Sequence, residues 1–389
     1  MQSRCRLLAP REPRFYTQED ERMRDAKLIT TQPDLDTAVF RLHGAARLAL
    51  DTEFMRERTY FPQLCLVQVA TDADCYLVDP LAGLDLGEFH ALLAGPARVK
   101  ILHAARQDLE VLTLTGGRVP GPVFDTQVAA ALLGFAPQAG YAELVARQLG
   151  HSLDKAQTRT DWSRRPLTPA QLAYAADDVH HLLALHTQLE AALEAKGRAQ
   201  WAREEMAGCA DPALYRTEPT EAWRRLKGLG RLRPAERAAA RALAEWRERR
   251  AIESDRPRGW ILADEALFAL ATEAPATTEA LERIRGLPPG VVQKRGEELL
   301  QLLASAREAP PLAGEEADWS GRRPTPEETR LAARLMQIVR EEAAGLGIAP
   351  EVLATRRDIE AIALGTRDNA LTRGWRRAVV GEKLLAAAG

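Results

Sequence analysis

The chain of 389 residues is poor in cysteine, histidine and aromatic residues. It contains 4 Cys and 7 His, and aromatic residues make up 5% of it. The cysteines lack the paired spacing of a zinc site or a redox motif, so they are expected to be thiols in a reducing cytoplasm. No apolar run approaches the length of a membrane span. The segment Met1–Pro10 also lacks the apolar core of a secretory signal.

The length and composition are typical of a multidomain globular protein. Apolar residues make up 46% of the chain and charged residues 28%. A chain of this length exceeds one compact core, which predicts two or three domains. We expect residues 1–25 to form a loose extension and residues 309–322, which contain prolines, to form a linker.

Charge is distributed unevenly along the chain. The formal net charge is −2, yet residues 216–258 hold thirteen Lys and Arg against seven Asp and Glu. A basic surface of this kind can bind a phosphate backbone. A charge-rich helix is more often a solvated surface, and both interpretations stay open at this point.

Short apolar runs alternate with helical patterns in the first half of the chain. The runs that predict strands span 46–54, 64–70, 75–79 and 99–103. The alternation predicts an α/β domain whose mixed sheet carries helices on its faces, with ligands near the strand ends. The second half shows amphipathic helical patterns on both sides of the linker, which predicts two helical bundles.

Two acidic residues follow an apolar strand in the segment Leu48–Phe54. Side chains alternate along a strand, so Asp51 and Glu53 project from the same face. Two carboxylates so close repel each other, and a divalent cation between them is the usual way for both to stay ionised. The alternative is a strand end that is simply solvated.

Further acidic residues lie on predicted helices. Asp108 lies in the first turn of a predicted helix, where it could also complement the helix dipole. Tyr174 and Asp178 stand four residues apart on a later helix and share a face. Asp177 points more to the side, so the spacing favours Asp178 and leaves Asp177 as the alternative. Asp125 begins another helix, so we interpret it as an N-cap outside the catalytic set.

Residues 153–167 are expected to form a polar loop that is rich in arginine. Arg159 and Trp162 could hold nucleic acid there through phosphate contact and base stacking. Alternatively, Trp162 could pin the loop against the body of the domain. The sequence does not decide between the two.

Taken in order, these motifs resemble those of the DEDD superfamily of 3′–5′ exonucleases, in its tyrosine-containing branch. The matching motifs are Asp51-Thr-Glu53, Asp108 after His103-Ala, and Tyr174-Ala-Ala-Asp-Asp178. Residues 54–68 and 159–167 are similar to segments of bacterial ribonuclease D. The resemblance covers residues 28–389, because the C-terminal half also resembles the two helical HRDC domains of that family.

The resemblance implies a particular domain order. A DEDD exonuclease domain with a ribonuclease H-like mixed sheet, flanked by helices, is expected in residues 26–208. Two all-α HRDC-like bundles are expected in residues 212–308 and 323–389.

The resemblance also implies a chemistry, which is removal of nucleotides from RNA 3′ ends by two-metal-ion hydrolysis with release of nucleoside 5′-monophosphates. Asp51 would bridge two Mg²⁺ or Mn²⁺ ions, Glu53 and Asp178 would hold the ion that carries the attacking water, and Asp108 would serve the second ion. Tyr174 would orient the water. The expected partners are RNA molecules, above all tRNA precursors, and no membrane.

We expect Phe54, Tyr60 and His103 to approach the terminal nucleotide, the alternative for each being a place in the packed core.

Two other functions are open: a DNA 3′–5′ exonuclease, and a noncatalytic RNA-binding protein on the same scaffold. No motif marks a group that senses the 2′-hydroxyl. All four carboxylates and the tyrosine are present, which disfavours the noncatalytic alternative.

Overall fold

The structure, a computed structural model, describes most of the chain. The described residues are 26–153, 160–308 and 324–389. The predicted extension (1–25) and linker (309–322) therefore lie outside the described residues. None of the helices in the described ranges is long and apolar enough to cross a bilayer.

The chain divides into two compact units that do not follow sequence order. The first unit contains the residues up to Met55, Leu64–Tyr215 and Pro324–Gly389. The second contains Arg56–Gln63 together with the segment that begins at Arg216. The last helical segment thus packs with the α/β part of the chain, and the domain bounds inferred from the sequence stay a prediction.

A six-stranded mixed sheet forms the centre of the first unit. Its strands are β1 (Lys27–Ile29), β2 (Arg47–Met55), β3 (Gln63–Ala70), β4 (Cys75–Val78), β5 (Val99–Leu102) and β6 (Val123–Asp125). They lie in the order β1-β4-β3-β2-β5-β6. The pairs β1/β4, β2/β5 and β5/β6 are parallel, whereas β3/β4 is antiparallel. The predicted mixed sheet is confirmed.

Helices cover both faces of this sheet. They are α1 (Gln32–Leu42), α2 (Gly87–Ala94), α3 (Arg106–Gly116), α4 (Thr126–Leu133), α5 (Tyr141–Leu144), α6 (Pro169–His180), α7 (Leu182–Ala195) and α8 (Ala199–Gly208). The alternation of side chains along β2 separates two cores. Leu48 and Leu50 belong to the core beneath α1, α2 and α3, and Ala49 belongs to the core shared with α4 and α7.

The C-terminal helices pack on α8 within the first unit. These helices are α14 (Pro326–Leu346), α15 (Pro350–Leu353), α16 (Arg356–Ala363), α17 (Gly374–Arg376) and α18 (Glu382–Ala388). The Trp375 and Trp201 rings stack with their centroids 4.6 Å apart. The indole nitrogen of Trp375 donates to Glu205 over 2.8 Å, and the Arg376 guanidinium pairs with the same carboxylate. Stacking and a charge-assisted contact together fix this interface.

The second unit is a helical bundle. Its helices are α9 (Pro234–Ser254), α10 (Arg258–Ile261), α11 (Asp264–Glu273), α12 (Thr278–Glu282) and α13 (Pro289–Glu308). Glu248 on α9 is buried, and its carboxylate pairs with Arg258 over 2.6 Å and with Arg225 over 3.3 Å. The two guanidinium groups supply the partners that a buried carboxylate needs.

Candidate active site

An open cavity of about 370 Å³ lies at the end of β2 in the first unit. Its lining residues are Asp51, Thr52, Glu53, Phe54, His103, Ala104, Gln107, Asp108, Tyr141, Tyr174, Asp178 and Leu182. The structure therefore brings all four predicted carboxylates and the predicted tyrosine to one place.

Three of the carboxylates form a tight cluster. Asp51, Glu53 and Asp178 each offer one oxygen, and these oxygens lie within 4.8 Å of one another. Asp51 and Glu53 alternate with Thr52 along β2, and α6, which carries Asp178, packs against that strand. A strand and a helix thus deliver the three oxygens to one point.

Asp108 is held separately, in the first turn of α3. It is 7% exposed, and its Oδ1 accepts a hydrogen bond of 2.5 Å from the hydroxyl of Thr52. Among the described residues, Asp108 lies outside the group whose oxygens fall within 4.8 Å of one another. The site therefore consists of a cluster of three carboxylates with a fourth beside it.

Burial and neighbouring carboxylates raise the pKa of all four acidic side chains. Burial, followed by the charges of Asp108, Asp178 and Glu53, raises the pKa of Asp51 well above its usual value. Burial, then Asp178 and Asp108, raises the pKa of Glu53 to about 8. Burial is also the main cause that raises the pKa of Asp178 to about 7 and that of Asp108 to about 6. Ionising all four groups is therefore costly unless positive charge is added.

The described residues that line the cavity do not supply that charge. Of the described residues, those that line it include neither Lys nor Arg. The donors offered are carboxylate oxygens, which magnesium and manganese prefer over softer ligands. This donor set fits hard divalent cations.

The start of α6 is set by local sequence. Thr168 caps the helix by accepting a hydrogen bond of 3.2 Å from the Gln171 backbone, and Pro169 takes the first helical position, as predicted. One helical turn then separates Tyr174 from Asp178. The Tyr174 hydroxyl hydrogen-bonds the Asp178 carboxylate and lowers its pKa, against the larger effect of burial.

The turn before α3 is held by Asp125. Its carboxylate accepts from the backbone of Ala104 (3.0 Å) and Ala105 (2.9 Å), and it also caps α4 through Gln127 (2.8 Å). The capping role predicted for Asp125 is confirmed. These bonds stabilise Ala104 at a φ of 55°, a left-handed conformation that non-glycine residues seldom adopt.

Two of the predicted substrate-binding residues line the cavity. Phe54 follows Glu53 on β2, and His103 follows β5. The Nδ1 atom of His103 lies 2.9 Å from the Thr126 hydroxyl, and burial lowers the pKa of its imidazole. A neutral ring at the cavity wall is the result.

Trp162 is buried instead of facing the cavity. It is 3% exposed and packs among Cys65, Leu66 and Leu77, and its ring centroid lies 6.2 Å from that of Tyr174. A ring that is enclosed in this way has no face free for a base. The structure thus supports the anchoring alternative for Trp162 and corrects its assignment as a stacking residue.

Arg165 reinforces the same loop. Its guanidinium binds both carboxylate oxygens of buried Asp79 over 2.6 Å and donates to the carbonyl of Cys65 over 2.7 Å. This two-point contact ties the described part of the loop, from residue 160 onward, to the sheet. Arg159 lies outside the described residues, so its assignment stays a prediction.

Tyr60 belongs to the second unit. Its hydroxyl donates to Glu248, and its backbone N–H and that of Phe61 each donate to Asp255 over 3.0 Å. The Arg258 guanidinium lies 5.2 Å from the centre of its ring. The expected approach of Tyr60 to a nucleotide stays a prediction.

Sequence reasoning missed three polar residues of the cavity, which are Thr52, Gln107 and Tyr141, and two apolar ones, Ala104 and Leu182. Thr52 sits inside the Asp-Thr-Glu motif, but its bond to Asp108 crosses to another element. Tyr141 begins a helix of four residues, and only the tertiary fold carries its ring to α6. In the sequence, the position of Gln107 next to Asp108 was the one indication that Gln107 belongs to the site.

A paired-carboxylate site at a strand end, on a mixed sheet and fitted to divalent cations, defines a metal-dependent nuclease. Comparison with known families agrees: a 3′-5′ exonuclease family matches residues 26–194, and the HRDC domain family matches residues 236–303.

Curated relatives give the particular family. The chain is 42% identical over 370 residues to ribonuclease D of Gluconacetobacter diazotrophicus, covering 93% of this chain and 92% of that protein. It is 43% identical over 365 residues to ribonuclease D of Acidiphilium cryptum, covering 92% of each. The crystal structure of Escherichia coli RNase D matches with a TM-score of 0.84 and 31% identity, over 93% of this chain and 98% of that one.

The chain belongs to the ribonuclease D family. It is a 3′–5′ exoribonuclease, a hydrolase that depends on divalent metal and acts on RNA. The predicted family, fold and enzyme class are confirmed.

Proposed function

We propose that this enzyme trims the 3′ ends of tRNA precursors in the cytoplasm by two-metal-ion hydrolysis with Mg²⁺, releasing nucleoside 5′-monophosphates. The observation that carries the proposal is the cluster of Asp51, Glu53 and Asp178 oxygens within 4.8 Å of one another. The related Escherichia coli enzyme is described as an exoribonuclease involved in structured RNA processing. The cytoplasmic setting is supported by Cys65, Cys75 and Cys209, which are free among the described cysteines.

Each carboxylate has a role that its position supports. The charges of the other three carboxylates all act on Asp51 and raise its pKa, and Asp51 would take part in holding both ions. Glu53 and Asp178 would hold the ion on the side of the attacking water. Asp108, which stands apart and is fixed by Thr52, would serve the other ion. Divalent ions in this site would activate the water and stabilise the leaving oxygen.

Tyr174 would orient the attacking water. Its hydroxyl already contacts Asp178, so it lies at the ligand oxygens. A phenol with an ordinary pKa near 10 is a poor base at neutral pH, and positioning is the role its chemistry favours. Phe54 and the neutral ring of His103 would border the terminal nucleotide at the cavity wall.

The helical bundles would bind the body of the RNA. Residues 212–308 and 323–389 are proposed to be two HRDC-like domains, of which the first contains the match to that family. The basic segment 216–258 supports this role. Within it, the Arg224 and Arg241 guanidinium groups lie 4.7 and 5.5 Å from the Trp223 ring. Cationic groups placed around an indole suit contact with a phosphate backbone.

The test is release of mononucleotide from a tRNA carrying a 3′ extension. Wild-type protein and Asp51→Asn are compared in Mg²⁺, in Mn²⁺ and with chelator, beside a DNA strand of the same sequence. We expect 5′-monophosphates in Mg²⁺, none with chelator, a loss of more than about 100-fold in Asp51→Asn, and much slower cleavage of DNA.

Asp36→Asn is the matched control. Asp36 is an exposed carboxylate on α1 that contacts Gln32, so its replacement removes the same charge from the surface. The control is expected to keep wild-type activity. RNA binding without hydrolysis in any metal would contradict the proposed function, and faster cleavage of DNA would contradict the choice of substrate.

A further inference from the structure

The helix that carries Tyr174 and Asp178 is interrupted beside the site. α6 ends at His180 and α7 begins at Leu182. In an unbroken helix the His181 N–H would donate to the carbonyl of Asp177, four residues earlier. Here the N–H of His181 faces the Tyr141 hydroxyl and the Val179 carbonyl. The break thus falls within one turn of Asp178.

The hydroxyl of Tyr141 occupies this break. It accepts a hydrogen bond of 3.2 Å from the His181 N–H and donates one of 3.2 Å to the Asp177 carbonyl. One phenol oxygen therefore joins the two backbone groups that would otherwise bond each other. A side chain inserted into the hydrogen-bond ladder is a recognised cause of a helix kink.

The ring of Tyr141 is itself held in place. Its centroid lies 5.7 Å from that of His103, whose Nδ1 contacts Thr126. The ring also lines the cavity that holds the carboxylates. His103 therefore holds the ring of Tyr141, and the hydroxyl of Tyr141 holds the end of α6.

We propose that Tyr141 is a positioning residue: its hydroxyl sets the kink after α6 and thereby aims the Asp178 carboxylate at Asp51 and Glu53. The proposal rests on the proposed role of Asp178 as a metal ligand. Without the hydroxyl, the His181 N–H and the Asp177 carbonyl bond directly and α6 extends, which turns Asp178 away from the other two carboxylates. A ligand that is displaced by a fraction of an ångström binds the ion less well.

The test compares Tyr141→Phe with Tyr215→Phe in the full-length protein. Tyr215 is a matched control, because it is also buried in the first unit and its hydroxyl donates to a backbone carbonyl, that of Cys209, over 2.8 Å. We expect Tyr141→Phe to lower kcat about 10-fold, with KM for RNA unchanged, and to raise the Mg²⁺ concentration for half-maximal activity by about 10-fold. Saturating Mg²⁺ should restore part of the lost kcat.

A second readout does not depend on activity. The amide proton of His181, followed by hydrogen exchange in the metal-free protein, should exchange at a different rate in Tyr141→Phe and at the wild-type rate in Tyr215→Phe. Wild-type kcat and Mg²⁺ dependence in Tyr141→Phe would overturn the proposal. Equal losses in Tyr141→Phe and Tyr215→Phe, or a rise in KM alone in Tyr141→Phe, would also overturn it. Asp51→Asn, measured in parallel, separates this failure from failure of the proposed function, since only the latter leaves Asp51→Asn active.

Discussion

The hydroxyl of Thr52 donates a 2.5 Å hydrogen bond to Oδ1 of Asp108. Thr52 lies between Asp51 and Glu53, so this bond connects all three carboxylates. The bond also lowers the pKa of Asp108, against the larger effect of burial. One motif on β2 therefore places Asp51 and Glu53 directly and Asp108 through its central threonine.

Replacing Thr52 by valine should weaken metal binding without unfolding the protein. Valine keeps the shape of threonine but cannot donate to Asp108, so the carboxylate loses both its orientation and part of its acidity. We expect the Mg²⁺ concentration for half-maximal activity to rise by about 10- to 100-fold. A Mg²⁺ titration of nucleotide release measures this. Thr37→Val, at an exposed position whose hydroxyl contacts the Pro33 carbonyl, should leave the titration unchanged.

The metal-free protein should lose stability as the pH rises. The pKa values of Glu53, Asp178 and Asp108 are raised to about 8, 7 and 6, whereas carboxyls in an unfolded chain titrate near 4. The folded state therefore holds more protons than the unfolded state in this range, and the free energy of unfolding falls between about pH 5 and pH 8.

Thermal unfolding in chelator, followed from pH 5 to pH 8, measures that slope. Added Mg²⁺ should reduce the fall, because cations offset the repulsion between the carboxylates. Asp178→Asn should flatten the curve in chelator, because it removes one of the groups with a raised pKa. A stability that rises with pH over this interval would show that the carboxylates do not form the buried cluster described above.

Arg165→Lys should destabilise the first unit. Lysine cannot reproduce the two-point contact with Asp79, which is 3% exposed and would keep a poorly paired charge. We expect a loss of about 3 kcal/mol in the free energy of unfolding, measured with urea. Arg164→Lys, next to it, changes a side chain that is 83% exposed and paired with Asp161, and should cost less than about 0.5 kcal/mol. Equal effects would argue that this loop is not anchored by Arg165.

Asp125→Ala should affect both stability and catalysis. The substitution leaves the N–H groups of Ala104, Ala105 and Gln127 without their acceptor, and it frees the turn that leads to Asp108. We expect a loss of about 2 kcal/mol in the free energy of unfolding. Asp125→Asn keeps one acceptor oxygen and should lose less. An alanine variant with wild-type stability would contradict the role of Asp125 in holding this turn.

Local periodicity was enough to predict part of the site. Alternation along a strand placed Asp51 and Glu53 on one face, and the spacing of four residues along a helix brought Tyr174 near Asp178. Both relations depend on the geometry of a single element. The mixed sheet followed from the alternation of strands and helices in the same way.

Contacts between distant segments could not be predicted. Tyr141 meets the backbone of Asp177 across 36 residues, and Arg165 meets Asp79 across 86. Such pairs depend on how the elements pack, which the pattern of one segment does not specify. The anchoring of Trp162 and the packing of the C-terminal helices on α8 became visible in the structure for the same reason.

The most direct test of the central claim, that the carboxylate cluster removes nucleotides one at a time from an RNA 3′ end, uses an RNA labelled in its last nucleotide. In Mg²⁺, wild-type protein and Asp36→Asn should release the label in the first turnover as a nucleoside 5′-monophosphate, and Asp51→Asn should release it more than about 100-fold more slowly. Label that appears first in longer fragments, or that Asp51→Asn releases at the wild-type rate, would contradict the account.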